Sequence, residues 1–282
     1  MLLAATGLPA APPVNFPVAE DALNVAFVAA ATVLALSVVW AVRNWRVDGS
    51  PLHLLCLAAG LICSLDEAIV DVLGKCWFPN ETIAYSAYGR DVPWWVVFCY
   101  VIFFGNLPYL FARAFQRGLL KQAFWKSIAA GFVFNAIIEV PVLQADVYTY
   151  YGNQPFEVLG FPLWWMFVNT GGALSAGFLI WKFGLPLIER RPALLAAIPL
   201  VTAPTYLAWS VVVGLPLHTT LNTGASLAVT TIAGTATVAL CLGAYHLMTE
   251  IACTDGTLRS DRQPSTSRAA TRSPKAAQPV AG

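Results

Sequence analysis

A chain of 282 residues in which 58% are apolar and only 11% are charged cannot cover its surface with water-seeking side chains, since a soluble domain carries about a quarter charged residues. The mean hydropathy of +0.66 points the same way, and a formal net charge of +1 gives no reason to expect a nucleic-acid partner. A sizeable soluble domain is excluded, and the residues read as an all-α integral membrane protein.

Seven stretches are apolar over about 20 residues, the length that crosses ~30 Å of hydrocarbon at 1.5 Å per residue. Residues 1–21 form an outer segment without Lys or Arg, and its first 17 residues lack the basic region of a cleaved signal peptide. The first span, 22–42, leads into a loop with Arg43 and Arg46. The second, 52–73, follows Pro51 and carries Asp66, Glu67 and Asp71; only Lys75 and Arg90 lie in the loop behind it. The third, 94–115, opens after Pro93 on Trp94 and Trp95 and holds Asn106, with Arg113, Arg117, Lys121 and Lys126 around the next loop. The fourth, 124–143, carries Asn135 and Glu139 and ends in a cation-free loop, 144–160. The fifth, 161–183, starts beside Pro162 on Trp164 and Trp165 and includes Asn169, and Lys182, Pro186, Arg190, Arg191 and Pro192 follow. The sixth, 193–214, precedes a short loop with Pro216, His218 and Asn222, and the seventh is 224–249.

Of the 16 basic residues, all but Lys75 and Arg90 fall on one side if the seven spans alternate with the N-terminus outside. That asymmetry predicts a cytoplasmic C-terminus, with a bacterial cytoplasmic membrane as the expected location. The bundle occupies 22–250, and residues 251–282, polar and rich in Ser, Pro and Ala, read as a disordered cytoplasmic tail. The six cysteines follow neither a CxxC pattern nor a disulfide framework, and read as small membrane hydrophobes.

Carboxylates inside a membrane are costly and face a bundle interior or a cavity, so Glu67 and Glu139 are the leading candidates for chemistry. Glu67 shares a helix face with Asp71, and Glu139 shares one with Asn135, each pair four residues apart; Asp66 lies about 100° away. Asp71 and Asp146 fall near the outer boundary. Asn106, Asn169 and His218, with Tyr148 and Tyr151 of the outer loop, fall at compatible depth and complete an aromatic-walled outer cavity. Blander roles compete: Trp94, Trp95, Trp164 and Trp165 suit interfacial anchoring, Asn106 and Asn169 suit interhelical bridging, and His218 suits a plain loop.

The two acids recur in similar contexts. Glu67 is followed by Tyr88-Gly89, Pro93 and Trp94-Trp95, and Glu139 by Tyr151-Gly152, Pro162 and Trp164-Trp165. From each Glu to its Trp pair is 27 and 25 residues, which suggests a duplicated helix–loop–helix hairpin in parallel orientation.

A carboxyl group kept protonated by desolvation can serve as a general acid, and aromatic faces stabilise a cation by roughly 0.5–2 kcal/mol per ring. Proton-initiated carbocation chemistry on an isoprenoid lipid drawn from the bilayer needs no metal and no nucleotide. The sequence has three histidines, too few for a membrane di-iron enzyme, no Lys in the seventh span for a retinal Schiff base, no second Asp-rich motif, and no phosphate-binding Gly-rich loop.

The acids in CSLDEAIVD and IIEVPVLQAD, with the YYGNQPF and PLWW elements, resemble the integral-membrane terpene cyclases of fungal meroterpenoid and actinobacterial indole-sesquiterpenoid pathways. That resemblance covers roughly 22–250. It implies a metal-free and cofactor-free cyclase of polyprenyl or epoxyprenyl chains, with Glu67 and Glu139 as its acids and Asp66 or Asp146 able to stand in for one. Carotenoid cyclases have a similar acid-bearing hairpin organisation, and a sterol-isomerase-like enzyme would use such residues on another skeleton. A proton-coupled transporter or a ligand-binding seven-helix protein would use the same acids without chemical change.

Overall fold

The computed structural model describes residues 12–79, 82–184, 194–219, 226–256 and 258. The fold is mostly helical. Helix α1 (Glu20–Asp48) is followed by α2 (Leu52–Cys63), a 3-10 turn (Ser64–Asp66) and α3 (Glu67–Gly74) in one continuous run. Then come α4 (Trp94–Gln116), α5 (Lys121–Gln144), α6 (Trp164–Leu179) running into a π turn (Ile180–Gly184), α7 (Leu194–His218) and α8 (Ser226–Thr254). Helices α1, α4, α5, α7 and α8 are each long and apolar enough to cross a membrane. The other two expected spans coincide with helical runs that are interrupted: α2 and α3 are 12 and 8 residues, and α6 is 16 before its π turn.

Local chemistry sets the helix ends. Glu20 and Asp21 sit in the first turn of α1, where carboxylates oppose the positive helix end. Gly49 closes it at φ 68°, its N–H bonded to the Trp45 carbonyl at 2.9 Å. Pro51 and Pro93 immediately precede α2 and α4, where a missing N–H costs nothing. Pro216 lies inside the last turn of α7, which extends past the expected end of the sixth span and includes His218. Pro186, Pro192, Asn222 and the tail beyond residue 258 lie outside the described residues, as does the start of the outer segment.

Small side chains mark the helix crossings. A Cβ on Gly60 would come 3.0 Å from the backbone of Val101 and Gly105, and one on Gly105 would come 2.8 Å from the Leu57 Cα, so α2 and α4 touch backbone to backbone. A Cβ on Gly177 of α6 would fall 2.8 Å from the Pro108 carbonyl oxygen of α4. Since lipid is as apolar as leucine, helices in a bilayer gain little from hydrophobicity and associate through such close contact.

The connections hold what periodicity could not reveal, which among the described residues is three two-stranded sheets. Strands β2 (Ile83–Ala87) and β3 (Arg90–Pro93) form one hairpin, and β5 (Glu157–Val158) and β6 (Phe161–Pro162) another. Their two-residue turns, Tyr88-Gly89 (φ 53° and 70°) and Leu159-Gly160 (φ 53° and 79°), carry the paired positive φ of a type I′ turn. Strand β1 (Cys76–Trp77) pairs antiparallel with β4 (Thr149–Tyr150), Cys76 opposite Tyr150 and Trp77 opposite Thr149, lacing the two connections into one cap. Both connections therefore run helix, strand, hairpin, Trp pair. The counterpart of Tyr88-Gly89 is thus Leu159-Gly160 rather than Tyr151-Gly152: Tyr151 instead donates its N–H to the Lys75 carbonyl at 2.9 Å.

The two ends of the bundle differ. At the end opposite the cap, Arg113 pairs with Asp48 at 3.6 Å, Lys121 with Glu250, and Lys182 with Asp255. At the cap end, the exposed His218 bonds the Val72 carbonyl at 2.5 Å, tying the end of α7 to α3.

Candidate active site under the cap

The 3-10 turn places the acids. Its Ser64 carbonyl accepts the Glu67 N–H and also the Tyr85 hydroxyl of β2, the latter at 2.5 Å, so the cap is pinned to the break in the helix. Immediately after it, α3 presents Glu67 and Asp71 on one face, 7% and 1% exposed. Tyr100 of α4 donates its hydroxyl to Glu67 Oε2 at 2.5 Å. Glu67, Asp71 and the Cys76 thiol lie close enough to one another to interact. Two carboxyl groups buried side by side would repel if both were ionised. Asp71 Oδ2 is buried without a hydrogen-bond partner among the described residues. Asp71 thus belongs to the acid cluster and not to a solvated boundary.

Glu139, half-buried on α5, lies close enough to Glu67, Cys76, Cys99, Tyr150 and Tyr206 to act on them electrostatically. Beside it, Asn135 accepts from Asn169 Nδ2 at 3.1 Å, and Asn169 accepts from the Tyr206 hydroxyl at 2.7 Å. The two asparagines therefore bridge α5, α6 and α7. The wall between the acids is aromatic: Tyr100 to Phe104 is 5.2 Å between ring centroids, Phe104 to Tyr206 5.5 Å, and Tyr206 to Trp165 6.1 Å. Gly74 makes room for this wall, since a Cβ there would fall 2.2 Å from the Trp165 ring.

The tryptophans divide. Trp94 is 46% exposed and suits an anchor, while Trp95, Trp164 and Trp165 are buried. Trp164 stacks on Trp165 at 4.1 Å and donates to Gln154 Oε1 at 3.3 Å. Trp95 and Trp165, the second member of each pair, both keep a buried indole N–H with no partner among the described residues.

Other expected members lie elsewhere. Asp146 is exposed at φ 53°, just past the end of α5, and takes no part in the acid cluster. Asp66 is half-buried in the 3-10 turn. Asn106 belongs to a second polar cluster on the far side of the Gly60–Gly105 crossing. It accepts from His53 Nε2 at 2.8 Å and donates to Ser37 at 2.9 Å, while Asn44 bonds His53 Nδ1 at 3.0 Å and Tyr109 at 3.2 Å. Both ring nitrogens of His53 are satisfied there, so that cluster ties α1, α2 and α4 together.

The outer aromatics are not the rim of an open mouth but the filling of the cap. Tyr148, Tyr150 and Tyr151 are buried. Gln154 donates to the carbonyls of Gly74 and Tyr151 at 2.7 and 3.1 Å. The two basic residues of the cap side are also buried. Arg90 bonds the Tyr151 hydroxyl at 2.5 Å and lies 5.2 Å over the Trp77 ring, and burial lowers the pKa of the Lys75 ammonium, which sits 5.7 Å over Tyr151.

No family model matches this chain, and no curated protein or solved structure matches it either. Its function must be argued from the geometry alone.

Two kinds of residue escaped the sequence. Tyr100, Phe104 and Tyr206 sit in apolar runs where an aromatic carries no positional signal. Cys76 and Arg90 gain meaning only from the β1–β4 pairing and the fold of the cap.

Proposed function

We propose that the chain is a seven-span membrane enzyme, N-terminus outside, that cyclises or isomerises an isoprenoid lipid by protonation. The observation that carries this reading is the Glu67–Asp71 acid pair, hydrogen-bonded to Tyr100, screened from water by the laced cap and walled by Phe104, Tyr206 and Trp165. Such a site stores a proton out of contact with water. Glu67 would give that proton to an alkene carbon or an epoxide oxygen, leaving a carbocation. An internal alkene of the chain then attacks the cation and closes a ring. Proton loss to a second carboxylate, for which Glu139 is the candidate, gives a product isomeric with the substrate. The aromatic faces stabilise the cation by roughly 0.5–2 kcal/mol per ring, and the apolar walls would exclude the water that quenches it. This reading agrees with the resemblance to integral-membrane terpene cyclases, and polyprenyl or epoxyprenyl chains are the proposed substrates; carotenoid and sterol skeletons fit the same chemistry.

The test is mass spectrometry of lipid extracts from cells given a polyprenyl pool and expressing wild type, Glu67→Gln or Glu139→Gln at equal levels. A new compound with the mass of its precursor, lost in Glu67→Gln, is the expected result. An unchanged product in both variants would sink the assignment of the acids.

A proton-coupled transporter is the second reading, favoured by the 3-10 break in the helix at the acids, since interrupted helices line transport sites. It predicts an unmodified ligand and flux that follows an imposed proton gradient.

A further inference from the structure

An open pocket of about 350 Å³ lies at the end of the bundle opposite the cap, lined by Asp48, Ser50, Arg113, Gln116 and Arg117. It sits where the end of α1, the start of α2 and the end of α4 meet. Arg113 pairs with Asp48 at 3.6 Å, donates to the Gln116 side-chain amide oxygen at 2.9 Å and lies 5.5 Å over the Tyr109 ring, so its guanidinium is held in place. Arg117, on the next turn, is exposed. Ser50 accepts the Leu52 N–H at 3.3 Å in the turn that starts α2. Two guanidiniums against one carboxylate leave an excess of one positive charge, presented in a fork suited to phosphate oxygens.

What adjoins the pocket is apolar. Tyr109, under Arg113, stands edge-on to Trp40 of α1 at 6.0 Å, and Trp40 is one of a run of exposed apolar side chains with Val39 and Trp45. On α4, Leu110 is exposed one turn before the arginines. A cationic pocket that continues into exposed indole and alkyl surface matches an amphiphile with an anionic head, and not a soluble anion.

We propose that this pocket binds the phosphate of an anionic membrane lipid, its acyl chains lying along α1 and α4. The site is separate from the acid cluster and independent of what that cluster does. Basic pockets between helices at the membrane surface gather such headgroups, each cation adding about 1 kcal/mol, or roughly fivefold in affinity.

The experiment is native mass spectrometry of the detergent-purified full chain with phosphatidylglycerol and with phosphatidylcholine of the same acyl chains, in wild type, Arg117→Gln and Arg113→Gln/Arg117→Gln. Wild type is expected to retain phosphatidylglycerol in preference. The preference should fall roughly fivefold in the single variant and vanish in the double. Arg43→Gln, an exposed α1 arginine outside the pocket, should leave the ratio within about twofold of wild type. Equal retention of the two lipids by wild type overturns the proposal, and so does an Arg43→Gln effect as large as that of Arg117→Gln, which would mean general basic charge. Displacement of phosphatidylglycerol by inorganic phosphate at equal concentration would assign the pocket to a soluble anion and overturn the lipid.

Discussion

Glu67 is addressed by three groups of different chemistry: the Tyr100 hydroxyl, the Asp71 carboxyl and, at longer range, Glu139. Removing the Tyr100 hydroxyl separates their roles. In Tyr100→Phe the ring still packs on Phe104, so the fold should lose only about 1 kcal/mol, the usual worth of one hydrogen bond between membrane helices. Product formation should fall at least tenfold, because the carboxyl loses the donor that aims it. A melting temperature that drops while turnover per folded molecule stays at wild type would make Tyr100 structural only. The acids themselves were legible in the sequence, since a carboxylate in a span announces its own cost. Their ranking was not. Asp71 and Asp146 read as equivalent boundary residues, yet Asp71 is buried beside Glu67 while Asp146 is exposed past the end of α5. Depth counted along a span cannot see a 3-10 turn that shifts the helix, nor the strands that roof it.

At the scale of elements, five of the seven expected spans fall on a helix long and apolar enough to cross a membrane, because length and apolarity place such a helix, while the second and fifth fall on interrupted runs. The cap was hidden for the opposite reason: strands of two to five residues are too short to show a period. Only the Glu-to-Trp spacing hinted at it, and the hint misassigned the turn, because Tyr151-Gly152 matches Tyr88-Gly89 in letters while Leu159-Gly160 matches it in backbone conformation. The staple of the cap is Gln154, whose amide joins the end of α3, the Tyr151 carbonyl and the Trp164 indole. Gln154→Ala strands all three as buried polar groups, each costing about 1–3 kcal/mol if left unmet. The expected outcome is a lower melting temperature and faster protease cleavage within 144–163 in detergent. Wild-type values on both measures would mean that β1–β4 pairing alone holds the cap.

Across the whole molecule, charge and packing define the same axis. The ion pairs Arg113–Asp48, Lys121–Glu250 and Lys182–Asp255 gather at one end. Lys75 and Arg90, the exceptions to the basic asymmetry, are enclosed at the other among Trp77 and Tyr151. A cation stacked into a cap serves the fold of that cap, so these two do not weaken the bias of the remaining basic residues toward the opposite side. If that bias sets orientation, the cap faces outside and the loop between α4 and α5 faces the cytoplasm. Single cysteines test this. Tyr88 is the 72% exposed tip of the first hairpin, and Leu120, 48% exposed, lies between α4 and α5. The six native cysteines are buried or half-buried, so background labelling should be low. In intact cells, a membrane-impermeant maleimide should label Tyr88→Cys and spare Leu120→Cys, and lysis should expose both. The reverse pattern would invert the protein, turning the acid cluster toward the cytoplasmic leaflet. Labelling of both in intact cells would place the two loops on one side and break the alternation on which the seven-span reading rests.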